Sequence, residues 1–508
     1  MPTHFSKQLN LKSLYYNVKE NRFRLHGSPN IVTKLCIVGS GPAGFFTALR
    51  LLKLVPPTLN FTIDIFEKLP FAGGLVRYGV APDHPETKRV MSTFEQCLRN
   101  TRIRFLGNVK IGEDIKLKEL RRFYAATILC TGAEDNRTCF PQASGVHGLY
   151  SARRFVNWYN GHPEYVNEKF KLSESRTVLI LGNGNVAMDI SRMMLKSPTE
   201  LENTDISPYA LEELWKSKVE RIICVGRRGP AQAAYTIKEF RELTKLGDVR
   251  ISILDEDVKQ MNDDLRILGK KVRDTEKSAW RRKRILNLFN ECYLSSNLKD
   301  CSSSKKRTFE LKYYRRPLQL VTDHAGRITH VEFQKTRLVP EGAESFEHAE
   351  FQPTETTERI PCDLVFESVG YKSVPIEGVP FDYERFLIPN VRGAVISDKQ
   401  TQLSPLYCSG WVKRGPRGVI LSSKLDAEET VDKILEDLDT GVIEYKETHQ
   451  AEVCDLLKTR NRRFITKNDW FALYNYELEQ GRASNISGPK KILSVEQVWR
   501  YLKEIKSG

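Results

Sequence analysis

Two glycine-rich segments of this chain have the residue types and spacing of phosphate-binding turns. Residues 39–44 read Gly-Ser-Gly-Pro-Ala-Gly, and residues 182–187 read Gly-Asn-Gly-Asn-Val-Ala. Glycines in such a turn let the backbone approach a pyrophosphate closely, and the helix that follows presents free N–H groups and a positive dipole. Either segment alone would also suit an ordinary tight turn, but the two together predict that one chain holds two dinucleotides.

The residues around each turn must supply a strand before it and a helix after it. Apolar residues over 34–38 and 177–181 predict a buried strand before each turn, and the stretch 45–53 predicts a helix after the first. Strands predicted over 127–132 and 363–370 would close the two nucleotide units. This alternation predicts an α/β fold with two Rossmann-like dinucleotide-binding domains, each built on a doubly wound parallel sheet.

The residue that ends the next strand indicates which nucleotide each turn binds. The strand over 62–66 ends in Glu67, about twenty residues beyond the first turn, where a carboxylate can accept hydrogen bonds from ribose hydroxyls. The strand over 221–226 ends in Arg227 and Arg228, whose guanidinium groups can bind a 2′-phosphate bidentately. The arginine pair therefore favours NADPH over NADH at the second turn, although a solvated strand end would also contain such residues.

A third segment, residues 408–420, has the glycines of a nucleotide-facing loop and precedes a helix predicted over 421–438. The backbone N–H groups of residues 418–420 could stabilise the negative charge of a reduced flavin, and Trp411 could pack near the ring. A simple loop rich in glycine and proline is the alternative. Because this third site lies beyond the second nucleotide unit, the second domain is predicted to be inserted within the first.

The composition indicates a globular protein with large buried cores. The chain has 508 residues, of which 40% are hydrophobic. It contains no run of about eighteen apolar residues, so no membrane-spanning helix is expected. Its ten cysteines are scattered without a C-x-x-C pair. We expect reduced core cysteines, no metal site, and neither a dithiol relay nor an iron–sulfur centre within the chain.

The formal net charge of +15 favours an acidic partner, because opposite charges steer and orient association. Much of the excess lies in one segment that also contains Trp280. Its basic residues are Arg266, Lys270, Lys271, Arg273, Lys277, Arg281, Arg282, Lys283 and Arg284. No recognisable nucleic-acid module accompanies this segment, so we expect no nucleic-acid partner. A solvated helix face remains the alternative interpretation of these charges.

The first thirty residues are basic, with Glu20 as their single acidic residue and apolar residues interspersed. This composition resembles that of a mitochondrial transit peptide. It predicts a mitochondrial matrix location, with at most peripheral contact with the inner membrane. A disordered basic tail would have a similar composition.

Four motifs resemble those of the NADPH-dependent adrenodoxin (mitochondrial ferredoxin) reductases. They are residues 75–85 (Leu-Val-Arg-Tyr-Gly-Val-Ala-Pro-Asp-His-Pro), 225–230 (Val-Gly-Arg-Arg-Gly-Pro), 370–373 (Gly-Tyr-Lys-Ser) and 411–416 (Trp-Val-Lys-Arg-Gly-Pro). The resemblance extends from about residue 33 to the end of the chain. It implies a flavoprotein oxidoreductase that takes a hydride from NADPH with FAD and passes single electrons to an acidic [2Fe-2S] ferredoxin. Iron–sulfur cluster assembly and cytochrome P450 steroid hydroxylation are the downstream uses that it suggests.

Together with the glycine turns, the resemblance implies roles for individual residues. Those that would contact FAD are Gly39, Gly41, Ala43, Gly44, Glu67, Leu75, Ile111, Trp411, Gly418, Val419 and Ile420. Those that would contact NADPH are Asn183, Gly184, Asn185, Val186, Arg227, Arg228, Glu239 and Gly418. Those that would dock the ferredoxin are Arg241, Arg281, Arg282 and Arg284. His84 and Asp189 would line the flavin–nicotinamide cleft as catalytic residues, with a loop histidine and a helix-surface carboxylate as the alternatives.

The domain boundaries follow from the same pattern. We expect a targeting segment over 1–32, an FAD-binding domain in two parts over 33–136 and 373–508, and an inserted NADP-binding domain over 137–372. Two other functions remain open, since a fold does not fix a function. One is a flavin monooxygenase or quinone reductase, and the other is a redox-sensing protein that exposes its basic surface when NADPH binds.

Overall fold

The computed structural model describes residues 33–55, 61–272, 275–297, 306–396, 403–444 and 452–507. The predicted targeting segment, residues 1–32, lies outside the described residues. The chain forms two compact units. The described residues of the first unit fall within 33–74, 92–134 and 373–470, and those of the second fall within 75–91, 135–372 and 471–507. In sequence, the longest part of the second unit is thus inserted between parts of the first.

The strands of the described residues are short where they flank the glycine turns and longer in one antiparallel sheet. They are β1 (Thr33–Val38), β2 (Phe61–Glu67), β3 (Ile103–Gly107), β4 (Ala126–Leu129), β5 (Asp135–Asn136), β6 (Leu149–Ser151), β7 (Thr177–Leu181), β8 (Arg221–Val225), β9 (Val249–Ile253), β10 (Arg307–Lys312), β11 (Arg315–Thr322), β12 (Ile328–Val339), β13 (Glu350–Pro361), β14 (Leu364–Glu367), β15 (Tyr371–Lys372), β16 (Asn390–Val391), β17 (Ala394–Val395) and β18 (Leu406–Cys408).

The helices alternate with these strands over most of the chain. They are α1 (Pro42–Leu54), α2 (Leu75–Tyr78), α3 (Pro85–Lys88), α4 (Val90–Arg99), α5 (Leu117–Leu120), α6 (Ala152–Tyr159), α7 (Asn185–Leu195), α8 (Pro198–Leu201), α9 (Pro208–Trp215), α10 (Ile237–Thr244), α11 (Asp255–Lys271), α12 (Glu276–Asn297), α13 (Trp411–Arg414), α14 (Ile420–Asp439), α15 (Val453–Thr459), α16 (Lys467–Ala483) and α17 (Val495–Ser507). Short 3-10 helices occur at Pro141–Ala143, Pro163–Tyr165 and Pro230–Gln232.

The first unit is built on a seven-stranded sheet in the order β16-β17-β18-β4-β1-β2-β3. The strands from β18 to β3 in this order are parallel, and β16 and β17 are antiparallel at the edge. β1 and β2 are buried along nearly their whole length, as expected for parallel strands covered on both faces. Helices α1 and α14 pack together, and Arg50 Nη2 lies 3.1 Å from Asp432 Oδ1 between them.

The second unit is built on a six-stranded parallel sheet in the order β6-β14-β7-β8-β10-β9. Its central strand β7 lies between β8 and β14, just as β1 lies between β2 and β4 in the first unit. The predicted α/β class with two Rossmann-like sheets is therefore confirmed. The strands predicted around both turns are also present, although α1 begins at Pro42 rather than at residue 45, because proline suits the first position of a helix.

An antiparallel sheet of β11, β12 and β13 extends the second unit between β10 and β14. Helices α11 and α12 precede this sheet in sequence, and hydrophobic residues of α11 pack against the connection between β12 and β13. The central strand β12 alternates in burial over much of its length, which is typical of an antiparallel sheet with one face exposed to solvent. This sheet lies next to the loop that follows β8, since Thr336 of β12 donates its hydroxyl hydrogen bond to the carbonyl of Arg227.

Each unit has its own hydrophobic core. The cysteines at positions 36, 130 and 224 are buried, as predicted for core residues, and burial raises the pKa of all three thiols. Among the described residues, no helix combines the length and the apolar character that crossing a membrane requires.

Candidate functional site

The first glycine turn leaves no room for side chains at two of its positions. Gly39 has φ +109°, and a Cβ there would lie 2.5 Å from the carbonyl oxygen of Cys130 at the end of β4. A Cβ at Gly44 would overlap with the carbonyl of Gly39. At Gly41, which is the N-cap of α1, no atom of the described residues other than the glycine and its chain neighbours lies within 4 Å of the Cβ position. The turn is therefore closed on the sheet side and open where the helix begins.

The second turn repeats this geometry in the second unit. Gly182 has φ +108°, and a Cβ there would overlap with the carbonyl of Ser368, just beyond β14. Gly184 is the N-cap of α7, and apart from its own atoms and its chain neighbours, nothing in the described part of the chain lies within 4 Å of its Cβ position. Because both N-caps are glycines, no side chain caps the first N–H groups of either helix. The two open helix starts fit the pyrophosphates of two dinucleotides.

Glu67 joins the first turn to the end of β2. Its Oε2 accepts hydrogen bonds from the N–H of Ser40 at 3.0 Å and from the Ser40 hydroxyl at 2.6 Å, and its Oε1 accepts one from the N–H of Leu69 at 3.1 Å. Burial raises the pKa of Glu67, and these hydrogen bonds oppose the shift. A carboxylate has about four acceptor positions, so Oε1 keeps capacity for a ribose hydroxyl.

The third predicted segment meets the first turn within the first unit. Gly410 has φ +78°, and a Cβ there would lie 2.5 Å from the Cβ of Ala43. Trp411 then begins α13. Further along, Val419 is the N-cap of α14 and is 59% exposed, so the start of this helix is also open to a ligand. The structure thus brings together the start of α1 and the segment that leads into α13.

The arginine loop follows β8 in the second unit. Arg227 is exposed, and Arg228 Nη1 donates a hydrogen bond of 2.7 Å to the carbonyl oxygen of Glu347. Asn183 of the glycine turn lies over this loop, since a Cβ at Gly226 would be 2.6 Å from Asn183 Nδ2. The structure therefore places the arginines beside the second turn, as a 2′-phosphate site requires.

Helix α10 is joined to the start of α7. The N–H of Thr236, the N-cap of α10, donates a hydrogen bond of 2.7 Å to Asn185 Oδ1. Glu239 lies in the first turn of α10, and its Oε2 is buried without a hydrogen-bond partner among the described residues. A buried acceptor of this kind is unfavourable until a donor reaches it, which fits the predicted contact with NADPH.

Three other residues were predicted to contact a cofactor, and the structure gives their positions in the two units. Leu75 begins α2 in the second unit. Ile111 packs against the core of the first unit, and Val186 packs against the core of the second. Their roles toward the cofactors stay predictions.

Both predicted catalytic residues belong to one buried charge cluster around Arg192. Arg192 Nε lies 2.8 Å from Asp83 Oδ2, and its Nη1 lies 2.8 Å from Asp189 Oδ1 and 3.3 Å from Glu242 Oε2. His84 Nε2 lies 2.6 Å from the same Glu242 oxygen. The arginine side chain is only 2% exposed, so its charge must be compensated by these carboxylates. The structure thus links His84 to Asp189 through Glu242 and Arg192.

The two aspartates of the cluster have pKa values shifted in opposite directions. Burial raises the pKa of Asp189 to about 6, although Arg192 and His84 oppose the shift. Burial also opposes ionisation of Asp83, but Arg192 and Lys196 outweigh it and hold the pKa of that carboxyl well below its usual range. Asp83 is therefore the permanent counter-ion of Arg192, whereas Asp189 can change its protonation near neutral pH.

The chain on either side of His84 is anchored by further buried ion pairs. Arg77 Nη2 lies 2.6 Å from Glu477 Oε1, and both side chains are buried. Lys88 Nζ lies 2.6 Å from Asp205 Oδ1, and Lys491 Nζ lies 2.9 Å from Asp205 Oδ2. Glu477 and Lys491 come from the C-terminal part of the chain, whose role the sequence did not reveal. These contacts fix the segment that presents the histidine.

Sequence reasoning missed Asp83, Arg192 and Glu242. One signal was available, because Arg192 follows Asp189 by one helical turn in a stretch that is otherwise mostly apolar. An arginine on the buried face of a helix requires a counter-ion. The identity of the other carboxylates depends on contacts between distant parts of the sequence.

The predicted docking arginines all lie in the second unit. Arg241 is exposed on α10. The other three lie on α12, and each is close to a side chain of its own unit; they are Arg281, Arg282 and Arg284.

Comparison with known proteins places this geometry in context. The chain is 40% identical over 478 residues to "NADPH:adrenodoxin oxidoreductase, mitochondrial" of Homo sapiens, covering 92% of each protein. It is 37% identical over 460 residues to the protein of the same name from Arabidopsis thaliana, covering 89% of this chain and 92% of that protein. The solved structure of Mycobacterium tuberculosis FprA in complex with NADPH matches with a TM-score of 0.81 and 32% identity, covering 92% of this chain and 99% of that chain. No protein-family model matches the chain.

The two glycines of the second turn give a matched pair of variants. Gly182→Ala should lower the free energy of unfolding by more than about 2 kcal/mol, because the new Cβ overlaps with backbone. Gly184→Ala should change it by less than about 1 kcal/mol, because the site is open. The Gly184 variant should nevertheless bind NADP⁺ at least about tenfold more weakly, since the methyl group occupies the phosphate side.

Urea denaturation and calorimetric titration with NADP⁺ measure the two effects. Equal stability of the two variants would contradict the steric argument at Gly182. Unchanged NADP⁺ binding by Gly184→Ala would contradict a pyrophosphate site at this turn.

Proposed function

Because the chain belongs to the NADPH:adrenodoxin oxidoreductase family, we propose that it transfers electrons from NADPH, through bound FAD, to an acidic [2Fe-2S] ferredoxin. The observation that carries this proposal is the pair of similar glycine turns followed by opposite groups, Glu67 after the first and the arginine pair after the second. Iron–sulfur cluster assembly and cytochrome P450 steroid hydroxylation are the downstream uses that we propose.

The two predicted domains would divide the cofactors between them. We assign FAD to the domain over 33–136 and 373–508, and NADPH to the inserted domain over 137–372. When bound, FAD supplies the chemistry that a nicotinamide lacks, because it accepts two electrons together and releases them singly. The chain's own residues bind, orient and electrostatically stabilise the cofactors.

The second turn and the arginine loop would select NADPH. The open N-cap at Gly184 admits the pyrophosphate, and Arg227 and Arg228 bind the 2′-phosphate. A carboxylate at the arginine positions would repel that phosphate, whereas Glu67 after the first turn suits a free ribose.

The charge cluster would orient the nicotinamide. Hydride transfer needs no protein nucleophile, so we assign His84 and Asp189 to positioning and electrostatics rather than to bond formation. Glu242 fixes the His84 ring through Nε2, and Arg192 fixes the Asp189 carboxylate. The Oε2 of Glu239, which accepts no hydrogen bond from the described residues, is the acceptor that we propose for an N–H donor of the nucleotide.

The partner would be recognised by charge. A net charge of +15 supports association with an acidic protein, which would be accelerated at low salt. We propose that Arg241, which is exposed on α10, contacts this acidic protein, and that the arginines of α12 are further contacts. The proposal includes neither a nucleic-acid partner nor more than peripheral contact with the inner membrane.

The human and Arabidopsis thaliana relatives are mitochondrial by name, and we propose the same compartment, the matrix, for this chain. The basic, acid-poor composition of residues 1–32 supports import. Fusion of residues 1–32 to a fluorescent reporter should direct it to mitochondria. Diffuse cytosolic fluorescence would contradict the proposal.

Ferredoxin-dependent turnover tests the function most directly. The FAD-loaded protein should reduce cytochrome c with NADPH much faster than with NADH, only when a mitochondrial [2Fe-2S] ferredoxin is present. The rate should fall as salt rises, because exposed charges are screened. Turnover that ferredoxin does not change would indicate a quinone reductase or monooxygenase. Bound flavin without multiple turnover would indicate a sensor.

A further inference from the structure

The loop that carries Arg227 and Arg228 is supported by the antiparallel sheet of the second unit. The Thr336 hydroxyl donates a hydrogen bond of 2.7 Å to the Arg227 carbonyl oxygen, and the Thr336 N–H donates one of 2.8 Å to the carbonyl of Tyr314. The Tyr314 ring covers the end of the loop, since a Cβ at Gly229 would overlap with its hydroxyl. The backbone of the arginine loop is thus fixed from the side of the sheet.

The connection between β12 and β13 fixes one of the arginine side chains. The Glu347 carbonyl oxygen accepts a hydrogen bond of 2.7 Å from Arg228 Nη1. The neighbouring Phe346 is 4% exposed and packs in a small hydrophobic cluster. The other buried members of that cluster are Leu268, Val272, Leu338 and Ala349. The position of the carbonyl therefore depends on how Phe346 is held.

Helix α12 holds Phe346 from the outside. The guanidinium carbon of Arg282 lies 3.7 Å from the centroid of the Phe346 ring, and Arg281 Nη1 lies 4.0 Å from Glu347 Oε1. A guanidinium at this distance is attracted to the ring face. Arg284 on the same helix lies 4.5 Å from the ring centroid of Trp280 instead.

We infer that Arg282 and Phe346 are positioning residues for nucleotide specificity. Arg282 holds the Phe346 ring, the ring holds the Glu347 carbonyl, and the carbonyl orients Arg228 toward the 2′-phosphate. A long arginine side chain loses rotamer freedom when it binds a phosphate, so a carbonyl that orients it beforehand improves affinity. This role rests on the proposed use of NADPH. It differs from the ferredoxin docking that the family resemblance implies for Arg282.

Binding of adenosine 2′,5′-bisphosphate tests this role without requiring turnover. Its affinity for the full-length, FAD-loaded protein is compared by calorimetry with that of 5′-AMP, which lacks the 2′-phosphate. Arg282→Met should weaken binding of the bisphosphate by about 3- to 10-fold, the range expected when a cation–ring contact is lost. The affinity for 5′-AMP should not change in this variant. Arg284→Met is the matched control and should change neither affinity.

A second pair of variants tests the ring itself. Phe346→Leu keeps an apolar side chain in the cluster but removes the ring face, and it should reproduce the loss seen with Arg282→Met. Phe346→Tyr keeps the ring and should retain the wild-type affinity for the bisphosphate. Thermal unfolding of each variant separates this selective effect from general destabilisation, which would weaken the binding of both ligands.

The outcomes separate this inference from the proposed function. Wild-type protein that binds both ligands equally would overturn the use of NADPH. Wild-type preference for the bisphosphate that Arg282→Met leaves intact would overturn the positioning role alone. A raised KM for ferredoxin with unchanged bisphosphate affinity in Arg282→Met would likewise overturn it, in favour of docking.

Discussion

The structure depends on the absence of side chains at the ends of two central strands. At Gly39 and Gly182 a Cβ would collide with the backbone at the end of the neighbouring strand. Only glycine therefore lets the chain pass from the strand to the helix so close to that backbone. Each helix N-terminus is consequently directed at an open space at the carboxyl edge of its sheet. The residue that follows the next strand lies at the same edge, which is why Glu67 and Arg227 stand where the two riboses are predicted to bind.

A second constraint is the burial of charge around Arg192. Its neighbours Asp83, Asp189 and Glu242 come from separate parts of the sequence, and an unpaired arginine in this position would strongly destabilise the second unit. Burial raises the pKa of Asp189 to about 6, although its pairing with Arg192 opposes the shift. Glu242, which helps to compensate the arginine, also holds the predicted catalytic His84 through its ring Nε2.

Local patterns in the sequence predicted the fold well, because glycine turns and buried strands are determined by neighbouring residues. The two sheets, the helices after the first turn and after residue 420, and the buried cysteines were predictable in this way, although α1 begins three residues before its predicted start. The contacts Arg77–Glu477 and Lys491–Asp205 were not, since they join residues that are hundreds of positions apart. The contact between Arg282 and Phe346 was not predictable either, because it joins α12 to the connection between β12 and β13 and gives a surface arginine an internal partner.

We propose that the second turn binds NADPH through its 2′-phosphate and that the bound nucleotide delivers a hydride to flavin. Anaerobic stopped-flow reduction of the FAD-loaded protein by NADPH and by NADH tests it, with Arg227→Ala/Arg228→Ala as the variant. The kcat/KM for NADPH should fall by roughly 100-fold, since charged hydrogen bonds are lost, while that for NADH changes little. Equal losses with the two nucleotides would contradict the claim.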